Sequence, residues 1–93
     1  MIRSFADKRT AAIFDGRVPK GVALELAKRA RNKLLMIHRA GDVNDLRVPP
    51  GNHLKVLSGG EVGRYQIRVN DQWRIRFRWR DGGADEVEFG DFH

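Results

Sequence analysis

Four arginines, Arg74, Arg76, Arg78 and Arg80, hold every second position in a stretch whose other positions are Trp73, Ile75, Phe77 and Trp79. Just upstream, Arg64, Gln66, Arg68 and Asn70 alternate with Tyr65, Ile67 and Val69. A strand with this period has one apolar face and one charged face. Planar guanidinium forks match phosphate oxygens, so the chemistry this face suits is the holding of phosphate. Three-residue loops at Asn70-Asp71-Gln72 and Asp81-Gly82-Gly83 predict a register. Val69 then faces Trp73, Ile67 faces Ile75 and Tyr65 faces Phe77, so every apolar pair coincides. On the other face Arg68 meets Arg74, Gln66 meets Arg76 and Arg64 meets Arg78. In the following hairpin Arg78 meets Glu86 and Arg76 meets Glu88. Arg76 and Arg78 thus have carboxylate neighbours and read as a solvated surface, where an ion pair is worth about 0–1 kcal/mol. Arg68 and Arg74 have none. Like charges directly opposite destabilise a sheet, so this pair is expected to hold an anion.

The histidines add little by themselves. His38 reads as a surface or packing residue, and His53 follows a breaker loop. His93 comes directly after the last strand through Gly90-Asp91-Phe92. Histidine is the side chain that moves protons near neutral pH. No zinc-ligand spacing, phosphate-binding glycine loop or nucleophile elbow occurs, so metal and nucleotide-cofactor chemistry are not expected.

The elements that must carry these residues follow from the same patterning. Met1–Phe5 reads as an edge strand. Asp7 is a good N-cap for a helix running to about Phe14, stopped by Asp15-Gly16. Pro19 suits the first turn of a second helix, on which Val22, Leu26, Ala30, Leu34 and Ile37 form an apolar stripe ending near Arg39. Lys28, Arg29, Arg31 and Lys33 lie largely off that stripe. Asp42–Leu46 is expected to add a short turn. Arg47-Val-Pro-Pro-Gly-Asn52 ends helical structure and marks the switch to strands. Leu54 and Val56 suggest one strand, and Ser58-Gly59-Gly60 with Gly63 a flexible loop. Val87 and Phe89 alternate with Glu86 and Glu88 in the last strand. The predicted fold class is α+β, with the N-terminal strand and two or three helices packed on one face of an antiparallel β-meander.

With 93 residues and no cysteine, the chain makes one domain, 1–93, held by packing without disulfides. Its formal charge is +6. Residues 52–80 carry 7 basic and 2 acidic residues, whereas 81–93 carry 5 acids and no Lys or Arg. Such a chain favours RNA or DNA as partners, although a merely solubilising surface has the same composition. It has no apolar run near the ~20 residues of a membrane span and no secretory signal, so the expected location is the cytoplasm.

Arg47-Val-Pro-Pro-Gly-Asn52, Leu57-Ser-Gly59, Gly63 to Tyr65 and above all Ile67-Arg-Val-Asn-Asp-Gln-Trp-Arg-Ile75 resemble the HigB-type plasmid maintenance killer toxins of the RelE/ParE superfamily. Met1-Ile-Arg-Ser-Phe5 and Asp91-Phe-His93 resemble that family's ends, so the likeness spans the chain. The resemblance implies a RelE-like fold and a ribosome-dependent endoribonuclease that cuts mRNA in the ribosomal A site without a metal or small-molecule cofactor. It also implies a HigA-type antitoxin as partner, beside the ribosome (rRNA) and mRNA. The Trp-Arg pattern makes Arg74 an active-site residue, and the closing motif does the same for Asp91 and His93. Phe92 stands where many members have Tyr. Some members place a His and a Lys after the breaker cluster, where this chain has Lys55 and Ser58. Metal-free cleavage needs a base for the 2′-hydroxyl, cations for the phosphorane and an acid for the leaving oxygen. Arg74, helped by Arg68 or Arg64, suits the second role and His93 the proton transfers. Lys55 adds charge or a proton, and Asp91 orients His93 or contacts RNA. Arg64, Arg68, Arg76, Lys28 and Arg31 are the expected RNA-binding residues. The rival readings are a ParE-like inhibitor of DNA gyrase and a binding module without catalysis.

Overall fold

The computed structural model describes residues 1–58 and 63–92. His93 and the centre of the predicted glycine loop therefore lie outside the described residues. Two helices, α1 (Lys8–Phe14) and α2 (Leu24–Arg39), precede two 3-10 turns, Val43–Arg47 and Pro50–Asn52. Four strands follow: β1 (Lys55–Val56), β2 (Arg64–Arg68), β3 (Arg74–Arg80) and β4 (Gly83–Gly90). They form an antiparallel sheet in the order β1-β2-β3-β4. This is the α+β arrangement the patterning predicts.

The helices bury the sheet's apolar face. Ile13 of α1 and Ala30, Leu34 and Ile37 of α2 meet Ile67, Ile75, Phe77, Val87 and Phe89, all of them buried. The Asp7 carboxylate accepts from Thr10 N and starts α1 as expected. The second helix begins later than Pro19 suggests. Pro19 O accepts from Val22 N in a tight turn, and Gly21 sits at φ +85°, so the helix cannot propagate before Leu24. Asp42 caps the first 3-10 turn with a reciprocal bond through Asp45.

The N-terminal segment runs parallel to β4 but touches it as a strand only at Ile2↔Ala84 and Phe5↔Val87. Between these bridges Glu86 takes a left-handed φ of +53°, and the Ser4 hydroxyl accepts from the Glu86 N–H that this turns outward. Beyond Phe5, α1 completes the edge of β4. The Thr10 hydroxyl accepts from Phe89 N at 2.9 Å and Arg9 Nη2 donates to Phe89 O at 2.7 Å. Arg9 also lies over Trp73 and Phe89, whose rings stack at 4.8 Å.

The register of β2 on β3 matches the predicted one at Arg64↔Arg78, Gln66↔Arg76 and Arg68↔Arg74. The β3–β4 hairpin differs at its turn. Its loop has two residues, Asp81 and Gly82, both at positive φ, which brings Arg80 opposite Gly83 and Arg78 opposite Asp85 rather than Glu86. Continued unchanged, that register would put Glu86 and Glu88 opposite Phe77 and Ile75, inside the core. The extra residue at the Glu86 bulge restores Arg76↔Glu88 and Ile75↔Phe89.

Candidate active site

Cross-strand partners share a face, so the register lays out the polar side of the sheet in rows. One row runs Lys55, Gln66, Arg76, Glu88, and the next runs Arg68, Arg74, Gly90. Arg64, Arg78 and Asp85 form the next row toward the β3–β4 turn, and Arg80 and Gly83 the last. The charge along these rows is uneven. At the turn end, Arg78 Nε donates to Glu86 at 2.6 Å, and Asp85 lies 3.4 Å from Arg3 and 3.5 Å from Arg80. At the other end, Arg74 has no ion pair among the described residues. Its Nη1 donates to Asn70 O and to Trp73 O, anchoring the guanidinium to the β2–β3 loop. The Asn70 side chain holds that loop by accepting from Gln72 N and Trp73 N at 2.9 and 2.7 Å. Arg74 is thus half-buried, fixed and uncompensated, which suits a cation that must stabilise a phosphorane without reorganising.

Two expectations change. Arg68 has a carboxylate partner after all: Asp71, in the loop three residues on, reaches back to its Nη2. Strand pairing alone cannot reveal a partner supplied by the loop. Asp71 is 97% exposed, so the pair is a surface one of little worth. Arg76, in contrast, makes no ion pair among the described residues, although Glu88 stands opposite it. Its Nε donates to Gln66 Oε1 at 3.1 Å, and its guanidinium lies 4.3 Å from the centre of the Phe92 ring. Gln66 is 92% buried on this charged face and orients Arg76.

The stretch after β4 folds back over the rows. Phe92 packs so closely on Gly90 that a Cβ there would lie 2.7 Å from its Cζ. Asp91 Oδ2 accepts from Gln72 Nε2 at 3.0 Å, tying it to the loop that anchors Arg74. The structure therefore brings Arg74, Arg76, Arg68 and Asp91 to one end of the polar face, with exposed Lys55 at the β1 end of Arg76's row. Arg64 sits one row further away. Lys28 and Arg31 do not join them. They lie on α2, in the helical layer, where Lys28 is 3.9 Å from Glu25 and Arg31 Nε donates to Phe14 O. Sequence reasoning missed Gln66, Gln72, Gly90 and the stacking role of Phe92. The signal was there for Gln66, the one uncharged residue between arginines on its face of β2. His38 is a packing residue, as expected: Nδ1 accepts from Ile2 N and the ring lies on Phe14.

A family model for RelE-like toxins of the type II toxin–antitoxin system HigB matches residues 3–93. The chain belongs to the HigB family. It is 46% identical over 52 residues to toxin HigB-1 of Vibrio cholerae, a stretch that covers 56% of this chain and 55% of that one. It is 30% identical to the endoribonuclease HigB of Proteus vulgaris over the full length of both. An uncharacterised protein of Haemophilus influenzae is 38% identical over 71 residues, 76% of this chain and 66% of that one. Membership of a type II system implies an antitoxin as partner to the HigB-like chain. Among the described residues no helix is long and apolar enough to cross a membrane.

Proposed function

We propose that this HigB-family toxin is an endoribonuclease that cuts mRNA held in the ribosomal A site. The observation that supports this reading most is the fixed, uncompensated Arg74 beside Arg76, with Asp91 tied into the same end of the sheet. The match to an endoribonuclease HigB over its full length points the same way. In the proposed reaction a base takes the proton of a 2′-hydroxyl, and the 2′-oxygen attacks the adjacent phosphorus. The bond to the 5′-oxygen breaks, and that oxygen leaves with a proton from an acid. Arg74 stabilises the phosphorane charge, and Arg76, held by Gln66 and Phe92, contacts the scissile phosphate or its neighbour. His93 handles a proton, Asp91 orients it, and Lys55 supplies charge at the edge of the face. So sparse a set suits an enzyme whose substrate is positioned by the ribosome. Purified protein added to a translating extract is expected to create mRNA ends at codon boundaries and to leave naked RNA largely intact. Comparable cleavage of naked RNA would refute ribosome dependence. Intact mRNA together with inhibited gyrase would replace this reading with the ParE-like one.

The antitoxin is proposed to dock on the helical side. Arg17, Lys28 and Arg31 rim a cleft of about 100 Å³ floored by Ile13, Val18, Leu24 and Ala27, a surface suited to an acidic partner with an apolar side chain to insert. Inhibition then comes from bulk that bars entry to the A site. Lys28→Glu and Arg31→Glu should abolish complex formation. If they leave it intact while Arg74→Glu destroys it, the antitoxin plugs the sheet face instead.

A further inference from the structure

Helix α2 carries a second basic edge that the catalytic reading does not use. At 100° per residue, Arg29 and Lys33 flank the buried stripe of Ala30, Leu34 and Ile37 on the side opposite Lys28 and Arg31. Lys33 is built into the fold. Its Nζ donates to Asn52 Oδ1 at 2.6 Å. Asn52 is fully buried in the second 3-10 turn, and its Nδ2 donates to Leu46 O at 3.1 Å and Val48 O at 3.5 Å. Those two bonds fix the amide so that its oxygen faces the ammonium. The turn carrying Asn52 packs against β2, whose last residue is Arg68. Burial, then Arg29, then Arg68 push the Lys33 ammonium below its usual range. Arg29 lies four residues before Lys33 on the same edge of α2, and the turn that binds Lys33 packs on the strand that ends in Arg68, so the three cations are neighbours through that turn. Among the described residues only exposed Asp71, on Arg68, offers any of them a carboxylate. Convergence of like charge on an ordered, partly buried lysine is unfavourable until an anion arrives.

We propose that Lys33, with Arg29 and Arg68, binds a phosphodiester of RNA, and that Asn52 is the positioning residue that aims Lys33 at it. The inference rests on the nuclease reading. Arg68 is the cross-strand partner of Arg74, and its strand packs on the turn whose Asn52 binds Lys33, so the cations lead from the catalytic row toward α2. A strand lying on Arg74 can follow them. The phosphate belongs either to the mRNA beyond the cut or to rRNA beside it.

The test measures binding of the full chain to two probes. One is a 2′-O-methyl RNA 12-mer, which has no nucleophile and stays intact. The other is small ribosomal subunits without mRNA. Lys33→Met and Arg29→Ala are each expected to weaken binding several-fold. Each should also flatten the dependence of log K on log salt by about 0.7–1, the signature of one lost phosphate contact. Loss on the 12-mer assigns the phosphate to mRNA, and loss on the subunits alone assigns it to rRNA. Arg29 is exposed, so its variant keeps the test valid if Lys33→Met folds poorly. Unchanged affinity and slope on both probes overturn the site, as does loss of antitoxin binding with RNA binding intact. Failure of the nuclease reading shows separately, as uncut mRNA with the unsubstituted protein.

Discussion

Gly90→Ala isolates the fold-back that completes the site. The methyl would lie 2.7 Å from Phe92 Cζ and 3.1 Å from both Cε atoms, well inside contact distance. Gly90 does not have a positive φ, so alanine imposes no backbone strain there. The chain's loss of freedom in the unfolded state favours the variant by about 0.4–1 kcal/mol. Displacing Phe92 from Arg76 costs about 0.5–1 kcal/mol of cation–π attraction. These nearly cancel, because a partly exposed ring outside the core can swing aside instead of straining it. The melting temperature should therefore barely move. Activity should fall, because the ring must shift by about 1 Å and carries Asp91 and the Arg76 platform with it. A misplacement of that size costs about 10²-fold. The assay is the rate of mRNA cleavage in a translating extract, read beside a thermal melt. It is repeated for Phe92→Ala and the double variant. If Gly90→Ala acts through Phe92, it has no further effect in the Phe92→Ala background. Wild-type activity in Gly90→Ala refutes the reasoning, and so does a full additional loss in the double variant.

Arg74→Ala should lower cleavage by about 10²–10³-fold, the cost of one preorganised charge stabiliser, with little change in melting temperature; a melt lowered in proportion would make it structural. Arg76→Ala should also impair cleavage, since Gln66 and Phe92 rather than Glu88 hold it, and wild-type turnover would remove Arg76 from the site. Deleting His93 should cost about 10²–10⁴-fold in rate if it moves a proton, and full activity without it would end that assignment. Thr10→Val keeps the shape of a buried side chain but strips Phe89 N of its acceptor, at about 1–3 kcal/mol. At about 4–8 °C per kcal/mol for a domain of this size, calorimetry should register the loss, and an unchanged melt would show another group satisfying Phe89.

Legibility in the sequence tracks the repeat. Between β2 and β3, Tyr65, Ile67 and Val69 align with Phe77, Ile75 and Trp73 in one register only, so the row of Arg68 and Arg74 was readable beforehand. Between β3 and β4 the same alternation hid two departures. The shorter turn and the Glu86 bulge shift the register by one residue each in opposite senses, so the pairing beyond the bulge is the one the alternation predicts. The side-chain partners were less legible than the rows. Asp71 reaches Arg68 along the chain and not across the sheet, and Gln66 outcompetes Glu88 for Arg76 at close range. The fold-back of Asp91 and Phe92 has no period at all. It depends on the missing side chain of Gly90, which a sequence records only as one more glycine.

The edge of β4 is finished by the other end of the chain. Arg3, Ser4, Ala6, Arg9 and Thr10 bond to residues 80–89, across sequence separations of 77 to 83. Until β4 exists, the first ten residues lack most of their hydrogen-bond partners, and Arg76 and Arg78 lack one neighbouring strand. Such long-range closure comes late and carries the largest loop-entropy cost. During synthesis the bonds between the N-terminal segment and β4 therefore form only after the last strand has been made. A chain interrupted before Gly83 has the basic surface of the toxin without its scaffold. The polar rows of the sheet are thus complete only in copies whose synthesis has run on through β4.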